Sequence, residues 1–206
     1  MQLVGMLDSP FVRRTAISLQ LLGLPFESRP ISVFRQVEEF RRFNPVVKAP
    51  TLVLADGMAL MDSNLILQHA EALAGPARSL WPAATGEHTR ALRLTGLALA
   101  ACEKAVQLVY ERELRPLERR HAPWTERVHS QMLAAWKQLE AELGKGALPR
   151  AAGGQPIDQS GLTIAVAWHF TQQLLRGALS ERDFPHQAAH SEGAEALPAF
   201  AAWPHA

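Results

Sequence analysis

The chain has 206 residues, a formal charge of +1 at pH 7 and 48% hydrophobic residues, enough for two small domains with buried cores. Its scattered acids and bases exclude the phosphate-seeking surface of a nucleic-acid binder; the basic run Arg112 to Arg120 is broken by Glu113 and Glu118 and reads as a solvated helix face. No apolar run is long enough to cross a membrane, the N-terminus lacks a signal-peptide pattern, and the single Cys102 excludes an intrachain disulfide framework and a cysteine-pair zinc site.

In chain order, the first third alternates strand and helix signals, the pattern of one mixed sheet with crossover helices. Leu3 to Met6 is the first expected strand, and Arg13 to Leu22 has helical spacing that stops at Gly23. Phe26 to Ile31 is the second strand. Thr51 to Leu54 and Met58 to Met61 flank Ala55-Asp56-Gly57, where an Asp-Gly pair suits a tight antiparallel hairpin. Ser63 to Leu73 follows as a helix capped by Asp62 or Ser63. A linker near residues 77 to 86 leads to long alanine- and leucine-rich helices, Glu87 to Arg119 and Thr125 to Leu143. The stretch Gly144 to Gln159, rich in Gly and Pro, is a loop before a last apolar helix starting near Ser160 or Thr163, and His186, His190 and His205 fall in a polar tail. The domains expected are residues 1–80 and an all-helical 87–206.

Three junctions carry chemistry. Ser9-Pro10-Phe11 stands where the first strand hands over to the first helix. It reads either as a plain N-cap with Pro10 at the first helical position, or as a hydroxyl and free N–H groups that stabilise an anion such as a thiolate. In Asn44-Pro45-Val46-Val47-Lys48-Ala49-Pro50-Thr51, a proline stands directly before an apolar strand. A trans Pro50 is an ordinary strand start, whereas a cis Ala49–Pro50 bond turns the Ala49 backbone outward to pair with a peptide ligand. Asp62-Ser63 opens the next helix, as a cap or as a carboxylate for an ammonium group beside donors for a carboxylate.

In this order and spacing, the Ser-Pro start, the Asn-Pro…Lys-x-Pro segment, Asp-Ser and the ending Leu197-Pro198-Ala199-Phe200 resemble the glutathione S-transferase superfamily over nearly the whole chain. Arg13 and the Ser-Pro-Phe-Val-Arg run resemble its bacterial members. The resemblance implies an α/β plus all-α fold, a thioredoxin-like N-terminal domain followed by an all-helical C-terminal domain. It implies glutathione as co-substrate and Ser9 as the hydroxyl that holds its sulfur as thiolate. Ala49 and Pro50 would hold the cysteinyl part, Asp62 and Ser63 the γ-glutamyl end, and Lys48, ahead of Arg35, the glycine carboxylate. A small hydrophobic electrophile or a peroxide would meet Leu7, Phe11, Val106 and Tyr110. A serine at position 9 argues against thiol–disulfide exchange by the protein's own sulfur, and Cys102 reads as a small packed residue. The implied protein is a cytoplasmic homodimer with no metal site, its eight histidines showing no ligand spacing. The other reading is a non-catalytic glutathione-binding or regulatory module on the same fold. The sequence departs from the family at Thr163-Ile164-Ala165-Val166, where valine replaces the usual capping acid, so Asp158 or Ser160 is left to cap that helix.

Overall fold

The computed structural model describes residues 1–205. They form two compact units: Met1–Ala83, Arg150–Ile157 and the segment from Ala196 onward make the first, and Ala84–Pro149 with Asp158–Glu195 the second.

In the first unit, β1 (Gln2–Val4) leads through α1 (Pro10–Leu21) to β2 (Glu27–Arg29), which lies parallel to it. A parallel neighbour requires a crossover, and α1 supplies it. β3 (Thr51–Val53) pairs antiparallel with β1, and β4 (Ala59–Met61) antiparallel with β3, giving the order β2-β1-β3-β4. The strands are shorter than the apolar runs suggest. β1 ends at Val4 because Gly5 has φ 142°, and a Cβ there would lie 2.6 Å from Val12 Cγ2 and 3.1 Å from Ala49 Cβ. Only glycine lets α1 and the loop before β3 approach the strand end this closely.

Successive strand residues face opposite sides of the sheet. Leu3 and Leu52 pack with Val12, Ala16 and Leu19 of α1 and with Ile66 and Ala70 of α3 (Ser63–Ala74). Val4 packs on the other side with Ile31 and with Phe40 of α2 (Val37–Arg41), a short helix with no sequence forecast. The β3–β4 hairpin is closed by the expected tight turn, Gly57 N donating to Leu54 O at 3.1 Å, but only one of the Asp-Gly pair takes a positive backbone angle. Gly57 alone takes a positive φ, of 88°, while Asp56 uses its carboxylate to accept from Met58 N at 3.0 Å.

The second unit is helical: α4 (Thr85–Glu113), α5 (Ala122–Leu143), α6 (Gln159–Leu174) and α7 (Pro185–Glu195). α4 buries Ala91, Leu94, Ala98, Ala101, Ala105 and Leu108, an alternating three-and-four spacing that keeps one narrow stripe of alanine and leucine against its neighbours. It ends at Glu113, not Arg119, because Pro116 has no N–H to donate and disfavours helical backbone at Arg115. α6 is buried along most of its length, and Trp168 meets Trp136 of α5 edge-on, ring centroids 5.1 Å apart. Cys102 is buried in α4. No helix among the described residues is long and apolar enough to cross a membrane.

The expected polar tail around His186 and His190 is instead helix α7. Its first turn has no cap of its own; Glu140 of α5 accepts from His186 N at 2.8 Å and Gln187 N at 3.0 Å, a carboxylate where a helix N-terminus favours one. The chain then returns to the first unit as α8 (Pro198–Ala201). There Phe200 is fully buried, the Arg13 guanidinium lies 5.6 Å from its ring centroid, and Arg13 Nε donates to Trp203 O at 2.8 Å.

α6 begins at Gln159 because Asp158 is its N-cap. The Asp158 carboxylate accepts from Gly161 N at 2.8 Å and Ser160 Oγ at 2.7 Å, so the helix starts one turn before Thr163 and needs no acid at Val166. His190 of α7 closes the same turn, its Nε2 lying 2.8 Å from Gly161 O, which only a protonated nitrogen satisfies. Burial pushes the Asp158 carboxyl up and the His190 imidazole down from its ordinary 6.5, the latter opposed by the bond to Gly161 and by Asp158. The unfolded imidazole therefore takes its proton first as pH falls. Its contribution to stability is complete above about pH 6.5 and is lost on the acid side down to the folded value. Urea unfolding between about pH 7.5 and 5.5 is expected to show a smaller acid loss in His190→Gln, which keeps a donor for Gly161 O, than in the wild type. Equal losses in the two proteins would refute this role of His190.

Candidate ligand site

The strand register decides what meets at one end of the first unit's sheet. Val4 pairs with Thr51, and Thr51 with Met61. The end of β1, the start of β3 and the end of β4 therefore lie side by side, neighbours about 4.8 Å apart. The three junctions singled out in the sequence, at Ser9, at Ala49–Pro50 and at Asp62–Ser63, extend from these ends.

Ser9 is half-buried and caps α1, its Oγ accepting from Val12 N at 3.4 Å, with Pro10 at the first helical position. The Ala49–Pro50 bond is cis. The loop before it is held by Asn44, a buried side chain whose Nδ2 donates to Thr51 Oγ1 at 2.9 Å and Met61 Sδ at 3.4 Å, while its Oδ1 accepts from Val46 N at 3.0 Å. Thr51 Oγ1 passes its own hydrogen to Lys48 O at 2.7 Å. With both flanks tied, the N–H and C=O of Ala49 bond to no described residue. Pairing groups on an extended backbone are what a peptide ligand uses when it adds itself to a sheet.

Asp62 caps α3 from φ 69° and ψ 123°, a conformation that costs a non-glycine residue about 1–3 kcal/mol. One carboxylate oxygen accepts from Asn64 N at 2.9 Å; the other has no partner among the described residues. Ser63 is buried as the first residue of α3. Lys48 and Arg35 are both exposed, their side-chain cations with no partner among the described residues, and nothing in their surroundings favours one over the other. Leu7 and Phe11 are half-buried in the first unit; Val106, half-buried, and Tyr110, exposed, belong to the second.

One member of this neighbourhood escapes the sequence analysis. Arg14 of α1 is buried, and its Nη1 donates to Ser63 Oγ at 3.0 Å and Asn64 Oδ1 at 2.8 Å, tying α1 to the first turn of α3. The available signal is a second arginine directly after Arg13 in a short, largely apolar helix.

Residues 3–78 match the family model for the glutathione S-transferase N-terminal domain. By this match and by fold, the chain is similar to the glutathione S-transferase superfamily. It is 34% identical over 98 residues to the uncharacterized GST-like protein YibF of Escherichia coli K12, a match covering 48% of either chain and so about half the length of that relative. Among solved structures, a glutathione S-transferase of Methylobacterium radiotolerans in complex with glutathione sulfonate aligns over 100% of this chain and 95% of its own, at TM-score 0.86 and 26% identity. One from Methylobacillus flagellatus with bound glutathione covers 100% and 99% at TM-score 0.87 and 18% identity, a likeness of fold. The thioredoxin-like sheet followed by helices is the superfamily's architecture.

Asn44 makes the loop a built feature of this fold. Asn44→Ala is expected to cost about 1–3 kcal/mol in urea unfolding, because it strips partners from Val46 N and Thr51 Oγ1 inside the unit. Amide exchange at Val46 and Val47 should accelerate with it. Unchanged exchange at these two amides would show that Asn44 does not hold the loop.

Proposed function

We propose that the first unit binds glutathione and that Ser9 activates the bound thiol for attack on a small hydrophobic electrophile or a peroxide. The observation that carries this is the convergence, fixed by the pairing of Val4, Thr51 and Met61, of a helix-capping hydroxyl, an unpaired backbone and a half-free carboxylate beside a buried serine. Each answers one part of a γ-glutamyl tripeptide. The free carboxylate oxygen of Asp62 suits the ligand's ammonium, Ser63 at the start of α3 suits its carboxylate, and Ala49 N–H and C=O suit its central amide groups. Lys48 is the cation we assign to the glycine carboxylate, standing next to Ala49.

Ser9 accepts from Val12 N, which leaves its hydroxyl hydrogen to donate to sulfur. A donor at a helix N-terminus favours thiolate over thiol and so raises the reactive fraction near neutral pH. Leu7 and Phe11, on either side of Ser9 in sequence, are the first-unit side chains proposed to meet the apolar substrate. The bound forms of two structural neighbours, one with glutathione sulfonate and one with glutathione, support the ligand. We further propose a homodimer in the cytoplasm. The exposed apolar side chains Met58, Met61, Leu65 and Leu73 of β4, α3 and the preceding turn support the dimer.

Calorimetric titration of glutathione tests the site, and ultraviolet detection of bound thiolate tests the chemistry. The wild type should bind, Asp62→Ala should weaken binding about tenfold or more, and Ser9→Ala should abolish the thiolate signal while changing affinity only a few-fold. A wild type that ignores glutathione sinks the proposal. Binding without thiolate would leave a glutathione-binding module in its place.

A further inference from the structure

The buried guanidinium of Arg14 has a consequence for what the start of α3 offers a ligand. Arginine carries only donors. The atom of Asn64 that faces Nη1 at 2.8 Å is therefore its carbonyl oxygen, and the Asn64 amide hydrogens are turned elsewhere. Ser63 Oγ, at 3.0 Å from the same nitrogen, is likewise an acceptor in that bond. Its own hydrogen is not used by Arg14, and Ser63 donates to no other described residue. Asp62 meanwhile takes up Asn64 N.

We propose that Arg14 is a positioning residue: it fixes the hydrogen-bond polarity of Ser63 and Asn64, so that both present donors outward and the turn selects a ligand carboxylate over a neutral group of the same shape. Without Arg14 a serine hydroxyl rotates freely and an amide can flip, and each offers acceptor and donor alike. With it, one acceptor position on each side chain is taken and both are biased toward donating, beside a buried positive charge that acts over low-dielectric surroundings. Discrimination then comes from a group that does not itself reach the ligand, since Arg14 is 2% exposed while the residues it orients stand at the site. The inference rests on the glutathione reading, in which Ser63 faces the α-carboxylate of the γ-glutamyl group.

The test compares two ligands by calorimetry: glutathione, and 4-aminobutyryl-cysteinyl-glycine, which lacks only that carboxylate. The wild type should prefer glutathione by about tenfold to hundredfold. Arg14→Met should lose most of this preference by weakening glutathione and leaving the analogue nearly unchanged, whereas general loosening of the unit would weaken both alike. Arg14→Lys keeps the charge but supplies no planar fork for two acceptors, so it should fall between them. It also provides the reading should Arg14→Met fail to fold. In a cycle with Ser63→Ala, the effect of Arg14→Lys on glutathione binding should shrink, because part of the path to the ligand is already gone. A full preference retained in Arg14→Lys, or fully additive effects in the cycle, overturns the inference while leaving the glutathione site standing. A wild type with no affinity for glutathione overturns the site itself, and this inference with it.

Discussion

The in-register pairing of β1, β3 and β4 is the constraint on which the first unit depends. Each strand has only three residues, so the register has no long ladder to average over. A slip of one residue would exchange the faces of Leu3 and Val4, setting Val4 against α1 and α3 and Leu3 against Phe40. The same slip would displace Ala49 from Gly5 and Met61 from Asn44. Core packing and the assembly of the three junctions are thus enforced by one set of strand pairs. The site inherits the cooperativity of the core.

The second fixed point is α1, whose two adjacent arginines are both buried yet reach different partners. Arg13 turns to the C-terminal segment, lying against Phe200 and donating to Trp203 O, while Arg14 turns to Ser63 and Asn64. Buried guanidinium groups persist only where hydrogen bonds replace the lost water. Each arginine therefore marks a place where the chain arranges acceptors for it in advance. One acceptor of Arg13 comes from the C-terminal segment, so the first unit draws on a residue 190 positions away to satisfy its first helix.

What was legible in the sequence was local. The caps at Ser9 and Asp62, the stop at Gly23 and the hairpin are each set by a few neighbouring residues whose conformational preferences act alone, whereas the sequence left the bond before Pro50 open between cis and trans. What was not legible depends on distant partners. α2 shows a single buried residue, Phe40, and no side-chain cap, so its periodicity is too short to read. α7 carries too few apolar residues to announce a helix, and its first turn is capped from a distance, by Glu140 of another helix. Arg14 looks like one more surface charge until Ser63 and Asn64 are placed beside it. The end of α4 is a different case: Pro116 is a local helix breaker, set within a charged run whose composition otherwise suits a helix.

The ordinary reading of Ser9, as a helix cap, and its chemical reading are compatible because a hydroxyl has two kinds of valence to offer. Capping uses a lone pair, taken up by Val12 N, and so pins the oxygen at the mouth of α1 without consuming its hydrogen. Ser63 is treated the same way by Arg14. In both positions the fold occupies one lone pair of a serine and leaves its hydrogen unused, which biases the hydroxyl toward donating. Hydroxyls so biased suit the anions of the proposed ligand, thiolate at one helix start and carboxylate at the other. Serine also fixes where the reactive sulfur must come from. It cannot itself be oxidised or exchange disulfides, and the one cysteine of the chain lies buried within α4. Under the proposed function the thiol is therefore brought by the ligand, and the protein's part is the Ser9 hydrogen bond and the helix terminus that favour its ionisation.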